Sequence, residues 1–172
     1  LDISTVGSVQ INEGEKQNKI QKGDILFTGS SETPDEGGMS CVVTDELFED
    51  FYLNSFCFAL RLHNPELYNL HYFKHVFRSH AVRKAISKTA SGVTRFNISK
   101  ARFSKIQIPI PSLSEQSHIV GILDTFTASI ANLKEQIGER RKQYEHYRDQ
   151  LLDLEGKEGV ELILLKELAT VK

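Results

Sequence analysis

The 172-residue chain has no tryptophan, a single methionine, and not one aspartate or glutamate between residues 67 and 114. Cysteine is almost as scarce. Cys41 and Cys57 both lie in apolar stretches (CVV and FCFAL) without CxxC or Cys/His spacing, which favours two reduced core thiols over a disulfide or a metal site. No apolar run approaches the ~18 residues of a membrane span, and LDISTVGSVQ at the N-terminus lacks the basic-then-apolar pattern of a signal peptide, so a cytoplasmic protein with no membrane partner is expected. Motifs of catalysis are missing too. GxSxG, GxGxxG and Walker A sequences do not occur, Gly37-Gly38 is no more than a turn, and DELFED (45–50) reads as a solvated turn. His71 and His75 have the spacing of helical zinc ligands, but Tyr-Phe-Lys stands between them instead of the glutamate pattern of HExxH, and the lysine disfavours a cation. Neither a catalytic residue, a metal nor a cofactor is expected.

Charge is distributed very unevenly. The formal net charge is −2, yet residues 1–66 carry four Lys/Arg against twelve Asp/Glu, 67–114 carry nine against none, and 115–172 carry eight against eleven. The nine are Lys74, Arg78, Arg83, Lys84, Lys88, Arg95, Lys100, Arg102 and Lys105, with His71, His75 and His80 among them. A run of charge is often only a solvated face. Nine cations with no local carboxylate to neutralise them favour a polyanion as partner.

Local patterns predict an α+β domain. IQKGDILFT (20–28) reads as a turn and a short strand, and GSSETPDEGG (29–38) as a turn-rich loop. CVVT (41–44) and FYLNSFCFALRL (51–62) are β-rich, the second apolar enough for a central strand. Asn64-Pro65 places an N-cap before a helix-starting proline and predicts one helix over about 65–88, with Leu67, Leu70, Phe73, Phe77 and Ala81 as its core stripe. Ser91-Gly92 ends that helix, VTRFNISKARF follows with its own N-cap, and IQIPIP (106–111) alternates as an edge strand, since proline donates nothing to a ladder.

Pro109 and Pro111 then force an extended chain, and Ser112 with Glu115 forms a capping box that starts a helix at about 113. Ile119, Leu123, Phe126, Ile130, Leu133, Ile137, Arg140, Tyr144, Tyr147, Leu151 and Leu154 follow a strict 4-3 alternation, broken in character only by Arg140. Five heptads make a rod of about 55–60 Å, longer than the ~30 Å of a domain of this size. Folding back over its own domain is the alternative. The length favours a coiled coil completed by another copy or another protein, because the chain holds no second heptad stretch. Gly156 and Gly159 end the rod, and VELILLKELATVK resumes like the opening of a new globular unit.

Two stretches suit DNA. Lys88 to Lys100 (KTASGVTRFNISK) combines cations, hydroxyls and a glycine at helix ends, where Lys88, Thr94 and Lys100 would meet phosphates. Arg95 and Asn97 are the residue types that contact guanine and adenine edges bidentately, and Lys74 and Lys84 would add phosphate contacts. The 29–38 loop offers Ser30, Ser31, Thr33 and Asp35 to base edges, with Asp35 accepting from cytosine, although an ordinary surface turn explains it equally well.

KGDILFTGS, then SGVTRFNISKARFSKIQIPIP, then PSLSEQSHIVGILDTFTASIANLKEQI, in that order, resemble the target-recognition domain and following helix of the specificity subunit of type I restriction-modification systems. The resemblance covers most of residues 20–155, and its most specific part is the I-P-[apolar]-P…E-Q…I-V…L-D run leading into the heptads. VELILLKELA resembles the first strand of a next recognition domain, without the usual aromatic after Val160-Glu161 and with Lys166 where a glycine is common. The resemblance implies a recognition domain at 1–111, a spacer and dimerisation helix at 112–155, and at 156–172 the start of a following unit or a strand completing a partner's domain. It implies further that the domain reads half of a bipartite site in double-stranded DNA. Two helices would pair antiparallel as a spacer, through Ile119, Leu123, Phe126, Ile130, Leu133, Ile137, Tyr144, Tyr147 and Leu151. Two methyltransferase subunits, which carry the S-adenosylmethionine site, would dock on it, with restriction subunits in the larger complex, and a half-length chain would form a homodimer. By this resemblance the protein is a non-catalytic sequence reader. Two rivals remain: a coiled-coil adaptor whose basic patch meets an acidic protein, and a nuclease using acids from 32–50, which lack metal-ligand spacing.

Overall fold

The computed structural model describes residues 6–12 and 14–170. Its chain separates into two compact units, Leu1–Asp124 and Thr125–Lys172. The first unit holds two small antiparallel sheets. One is formed by β1 (Ile25–Thr28), β3 (Ser40–Val42) and β4 (Cys57–Leu60) in the order β3-β1-β4, with Phe27 opposite both Ser40 and Phe58. The other is formed by β2 (Ser30–Ser31), β5 (Ala90–Ser91) and β6 (Phe96–Ile98) in the order β2-β6-β5. Gly29 alone separates β1 from β2, and its carbonyl accepts from the Ile98 amide at 2.8 Å. No side chain would fit there, since an added Cβ would lie 2.9 Å from the Phe56 carbonyl oxygen.

Helices α1 (Leu70–Val76), α2 (His80–Ser87) and α3 (Lys100–Phe103) cover the first sheet. Phe27 is the hub of the core. Its ring stacks on Phe58 at 5.3 Å and meets Phe77 and Phe103 edge-on at 5.0 and 4.9 Å, contacts worth about 0.5–1.5 kcal/mol each beyond area burial. The Asp24 carboxylate beside it is fully buried, and it survives there because Arg61 grips both oxygens at 2.7 Å and the Gln21 amide donates a further bond at 2.9 Å. The same carboxylate raises the Arg61 guanidinium above its ordinary range.

Three elements differ from expectation. The helix over 65–88 is broken into a 3₁₀ turn (Pro65–Leu67), α1 and α2. Asn69, not Asn64, caps α1, its side-chain oxygen accepting from the His71 amide. The break at Ser79 has no proline or glycine behind it. Ser79 adopts extended backbone, and its hydroxyl donates to the Val76 carbonyl at 2.7 Å, closing the end of α1. The core stripe shifts accordingly: Leu67 and Ala81 are exposed, and Tyr72, Val76, Val82 and Ile86 join Phe73 and Phe77 inside. The strand expected over 51–62 shrinks to β4 because Ser55 and Phe56 make a turn, closed by the Cys57 amide on the Asn54 carbonyl at 3.1 Å, with the Phe56 amide donating to the Asn54 side chain. IQIPIP forms no ladder among the described residues. It packs Ile106 and Ile108 on the core instead, and the Pro109 carbonyl accepts from the Tyr72 hydroxyl at 2.9 Å.

The long helix is as predicted, α4 running from Leu113 to Leu152, with the Glu115 amide donating to the Ser112 hydroxyl at 3.3 Å. Its opening turns belong to the first unit. Gln116, 1% exposed, accepts from the Asn69 amide at 3.0 Å and donates to the Pro111 carbonyl at 2.8 Å, while Ile119 and Val120 pack against the core. Asp124 receives Lys74 at 2.6 Å and His75 at 2.8 Å on one oxygen, and the lysine bond holds its carboxyl below the usual range. In the second unit seven heptad positions of α4 (Phe126, Ile130, Leu133, Ile137, Tyr144, Tyr147 and Leu151) are 54–70% exposed, and Leu154, just past the helix, is 39% exposed. Beyond α4, Gly156 and Gly159 take left-handed conformations, and a single short helix, α5 (Leu165–Leu168), follows. No helix among the described residues is long and apolar enough to cross a membrane.

Gln116→Ala would leave the buried Asn69 amide and Pro111 carbonyl without partners and is expected to destabilise the protein by about 1–3 kcal/mol. Glu115→Ala, at an exposed neighbouring position, should cost only a few tenths as much. Chemical denaturation of both variants checks the contrast, and equal losses would show that Gln116 does not anchor the helix.

Candidate nucleic-acid interface

The second sheet brings the two DNA-suited stretches of sequence together. In its ladder Ser30 pairs with Asn97, Ser31 with Phe96, and Ser91 with Asn97 from the other side. The turn from β5 to β6 depends on Gly92, whose φ of 136° and approach to the Arg95 carbonyl exclude any side chain. Ser30, Arg95, Asn97 and Lys100 consequently line one open cleft of about 360 Å³, with Gly29, Ser55, Phe56 and Phe58. Ser30 Oγ is buried there without a hydrogen-bond partner. Phe56 is half exposed and its carbonyl accepts from the Gly29 and Ser30 amides, so its place beside β2 is fixed by backbone bonds. Arg95 lies over the Phe56 ring at 5.2 Å, and Lys100 over Phe58 at 5.7 Å. Cys57, also in the cleft wall, is a free thiol whose pKa is raised by burial.

Other predicted contacts fall elsewhere. Ser31 and Thr33 hold the loop's own turn, the Ser31 hydroxyl accepting from the Thr33 amide and donating to Glu36, both at 3.2 Å. Lys84, Lys88 and Thr94 are exposed but do not line the cleft. Lys74 is engaged by Asp124, and His75, half of the His71/His75 pair, shares that carboxylate. Among the described residues no group of three His, Cys, Asp or Glu is placed to hold a metal ion.

The basic stretch is also less free than its composition indicates. Arg83 donates to the carbonyls of Asp35, Gly37 and Gly38 at 2.5–2.9 Å, and Arg78 donates twice to that of Ser40. Burial and the neighbouring Arg78 lower the Arg83 pKa. These two guanidiniums clamp the loop that follows β2, whose ends meet at Thr28: the Gly38 amide donates to the Thr28 carbonyl at 2.7 Å and the Thr28 amide to that of Met39 at 3.0 Å. With Arg78, Arg83 and Lys74 occupied, Lys84, Lys88, Arg95, Lys100, Arg102 and Lys105 remain as exposed cations. Phe56 and Gly29 escaped sequence reasoning. FCFAL reads as continuous core, and only the Asn54-Ser55 turn signal hints that Phe56 begins outside it.

Residues 4–140 match the family described as the type I restriction modification DNA specificity domain. The chain is 31% identical over 153 residues to the StySPI specificity subunit of Salmonella potsdam, covering 88% of this chain and 32% of that one. To the EcoKI specificity subunit of Escherichia coli (strain K12) it is 32% identical over 148 residues, 84% of this chain and 31% of the other. It thus spans about a third of the length of these relatives. Among solved structures, the S subunit of a type I restriction-modification system from M. genitalium has the same fold, with a TM-score of 0.60 at 22% identity over 82% of this chain and 35% of that one.

Arg83→Lys should release the 33–38 loop, because one ammonium cannot satisfy three carbonyls held by a fork. Amide hydrogen exchange at 33–38 is expected to accelerate in this variant and to stay unchanged in Lys84→Ala. Unchanged exchange in both would show that Arg83 does not hold the loop.

Proposed function

The chain belongs to the type I restriction modification DNA specificity family, and we propose that it binds double-stranded DNA sequence-specifically through the cleft between β2, β6 and Phe56. The observation that carries this reading is the gathering of Ser30, Arg95, Asn97 and Lys100, from segments almost seventy residues apart in sequence, around one open cleft. Arg95 and Asn97 would read base edges, Lys100 would position the backbone, and Lys84 and Lys88 would add sequence-independent attraction. Lys74 would contribute less, because a phosphate would have to compete with Asp124. The chain would act as a reader without catalytic chemistry of its own, in the cytoplasm, covering half of a bipartite site and docking methyltransferase subunits that modify the DNA, with restriction subunits in the larger assembly.

The exposed seam of α4 supports a second part of the proposal, that two long helices pair antiparallel. Seven large apolar or aromatic side chains at heptad spacing, 54–70% exposed, are a surface that water disfavours and a second helix of the same pattern would cover. Another copy of this chain supplies such a helix.

Two measurements test these assignments. Alanine at Lys84, Lys88 or Lys100 should weaken binding to every duplex about equally and lower the slope of log affinity against log salt by about one per lost phosphate contact, whereas Arg95→Ala should also relax preference at one base position. Fluorescence anisotropy over a salt series decides, and uniform weakening by Arg95→Ala would remove its base-reading role. For the helix, the wild type should sediment as a dimer and the Ile130→Glu/Ile137→Glu variant as a monomer with the same circular dichroism. A wild type that stays monomeric at high concentration would overturn the pairing.

A further inference from the structure

Glu32 is out of place on a surface that meets phosphates. Its side chain is 83% exposed, and its one ion pair, with Arg95 at 4.0 Å, is of a kind worth about 0–1 kcal/mol, so folding gains little from it. Near DNA it would cost affinity by repelling the backbone. Yet the backbone on both sides of Glu32 is fixed. Glu32 directly follows β2, and Arg95 directly precedes β6. Since Ser31 pairs with Phe96 in that antiparallel ladder, the register carries Glu32 to the position opposite Arg95. On its other side the chain is fixed by the Ser31–Thr33 and Ser31–Glu36 bonds and by Arg83 on the carbonyls of Asp35, Gly37 and Gly38. The Phe56 ring meanwhile limits where the Arg95 guanidinium can go.

Donors and acceptors decide what such a pair can meet. In the major groove a carboxylate finds a partner only in the amines of cytosine and adenine, and an arginine is best matched by the two acceptors of guanine. A G·C pair presents both sets on one edge. We propose that Glu32 and Arg95 read a single G·C pair together, Arg95 donating to guanine and Glu32 accepting from the cytosine amine. Of the acids in this loop, Glu32 is the one that stands beside Arg95. The proposal rests on the DNA-reading function and sharpens it.

The test uses the full chain and duplexes enriched from a random-sequence pool. Each cytosine of the enriched duplex is replaced in turn by 2-pyrimidinone, which lacks the 4-amino group and still faces guanine. At the pair where Arg95→Ala relaxes preference, loss of the amine should weaken wild-type binding about tenfold and leave Glu32→Ala unaffected, with Glu32→Gln, which keeps an acceptor but loses the charge, in between. Equal sensitivity in wild type and Glu32→Ala would overturn the proposal, as would an enriched site with no amine effect at that pair. So would Glu32→Ala binding all duplexes more tightly with a steeper salt dependence, the mark of simple phosphate repulsion. Failure to enrich any sequence would instead defeat the DNA-reading function itself, and this proposal with it.

Discussion

Gln116 joins three parts of the molecule. Its buried amide accepts from the start of α1 and donates to the end of the proline segment, from its place in the first turns of α4. A neutral amide suits this task, because it satisfies a donor and an acceptor at once and brings no charge into the interior. The first turns of α4 are thereby tied into the first unit. The contacts that help are spaced along the same side of the helix, Gln116, Ile119 and Val120, then Asp124, so that a polar tie, an apolar seat and an ion pair follow one another over two turns.

The same economy governs the cations. Guanidiniums with rigid forks are placed where backbone carbonyls or a buried carboxylate must be held, Arg83 and Arg78 on the loop and β3, Arg61 on Asp24. Lysines, whose point charge needs no fixed direction, are left at the surface. Arg95 differs from these three arginines: it lies over the Phe56 ring at 5.2 Å with the exposed Glu32 carboxylate 4.0 Å away.

Much of this was legible in the residues, and the reasons differ by element. The N-cap at Ser112 and the long helix α4 rest on local and periodic signals, and they appear as expected. The KGDILF strand could also be anticipated, whereas β6 could not, because VTRFNISKARF reads only as a segment leading to an N-cap. The break between α1 and α2 could not, since it is made by a serine bonding back to Val76 and by Arg78 reaching β3, neither of which has a sequence pattern. Charge counting likewise took nine cations as one surface, whereas the fold turns three of them to its own use. Long-range register is the largest omission. That β2 and β6 are neighbours decides which side chains share the cleft, and no motif in either segment states it.

The segment from Gly29 to Gly38 leaves the core at Thr28 and returns to it at Thr28, through the paired bonds to Gly38 and Met39, and neither Gly29 nor Gly38 has room for a side chain. Such a loop behaves as a cassette. Its outer positions, Glu32, Thr33 and Pro34, are exposed and can be exchanged without moving the phenylalanine core, so long as Gly29, Gly38 and the Arg83 carbonyl contacts persist. Under the proposed function, substitutions in a handful of surface codons would change the letters recognised while leaving the core and α4 as they are.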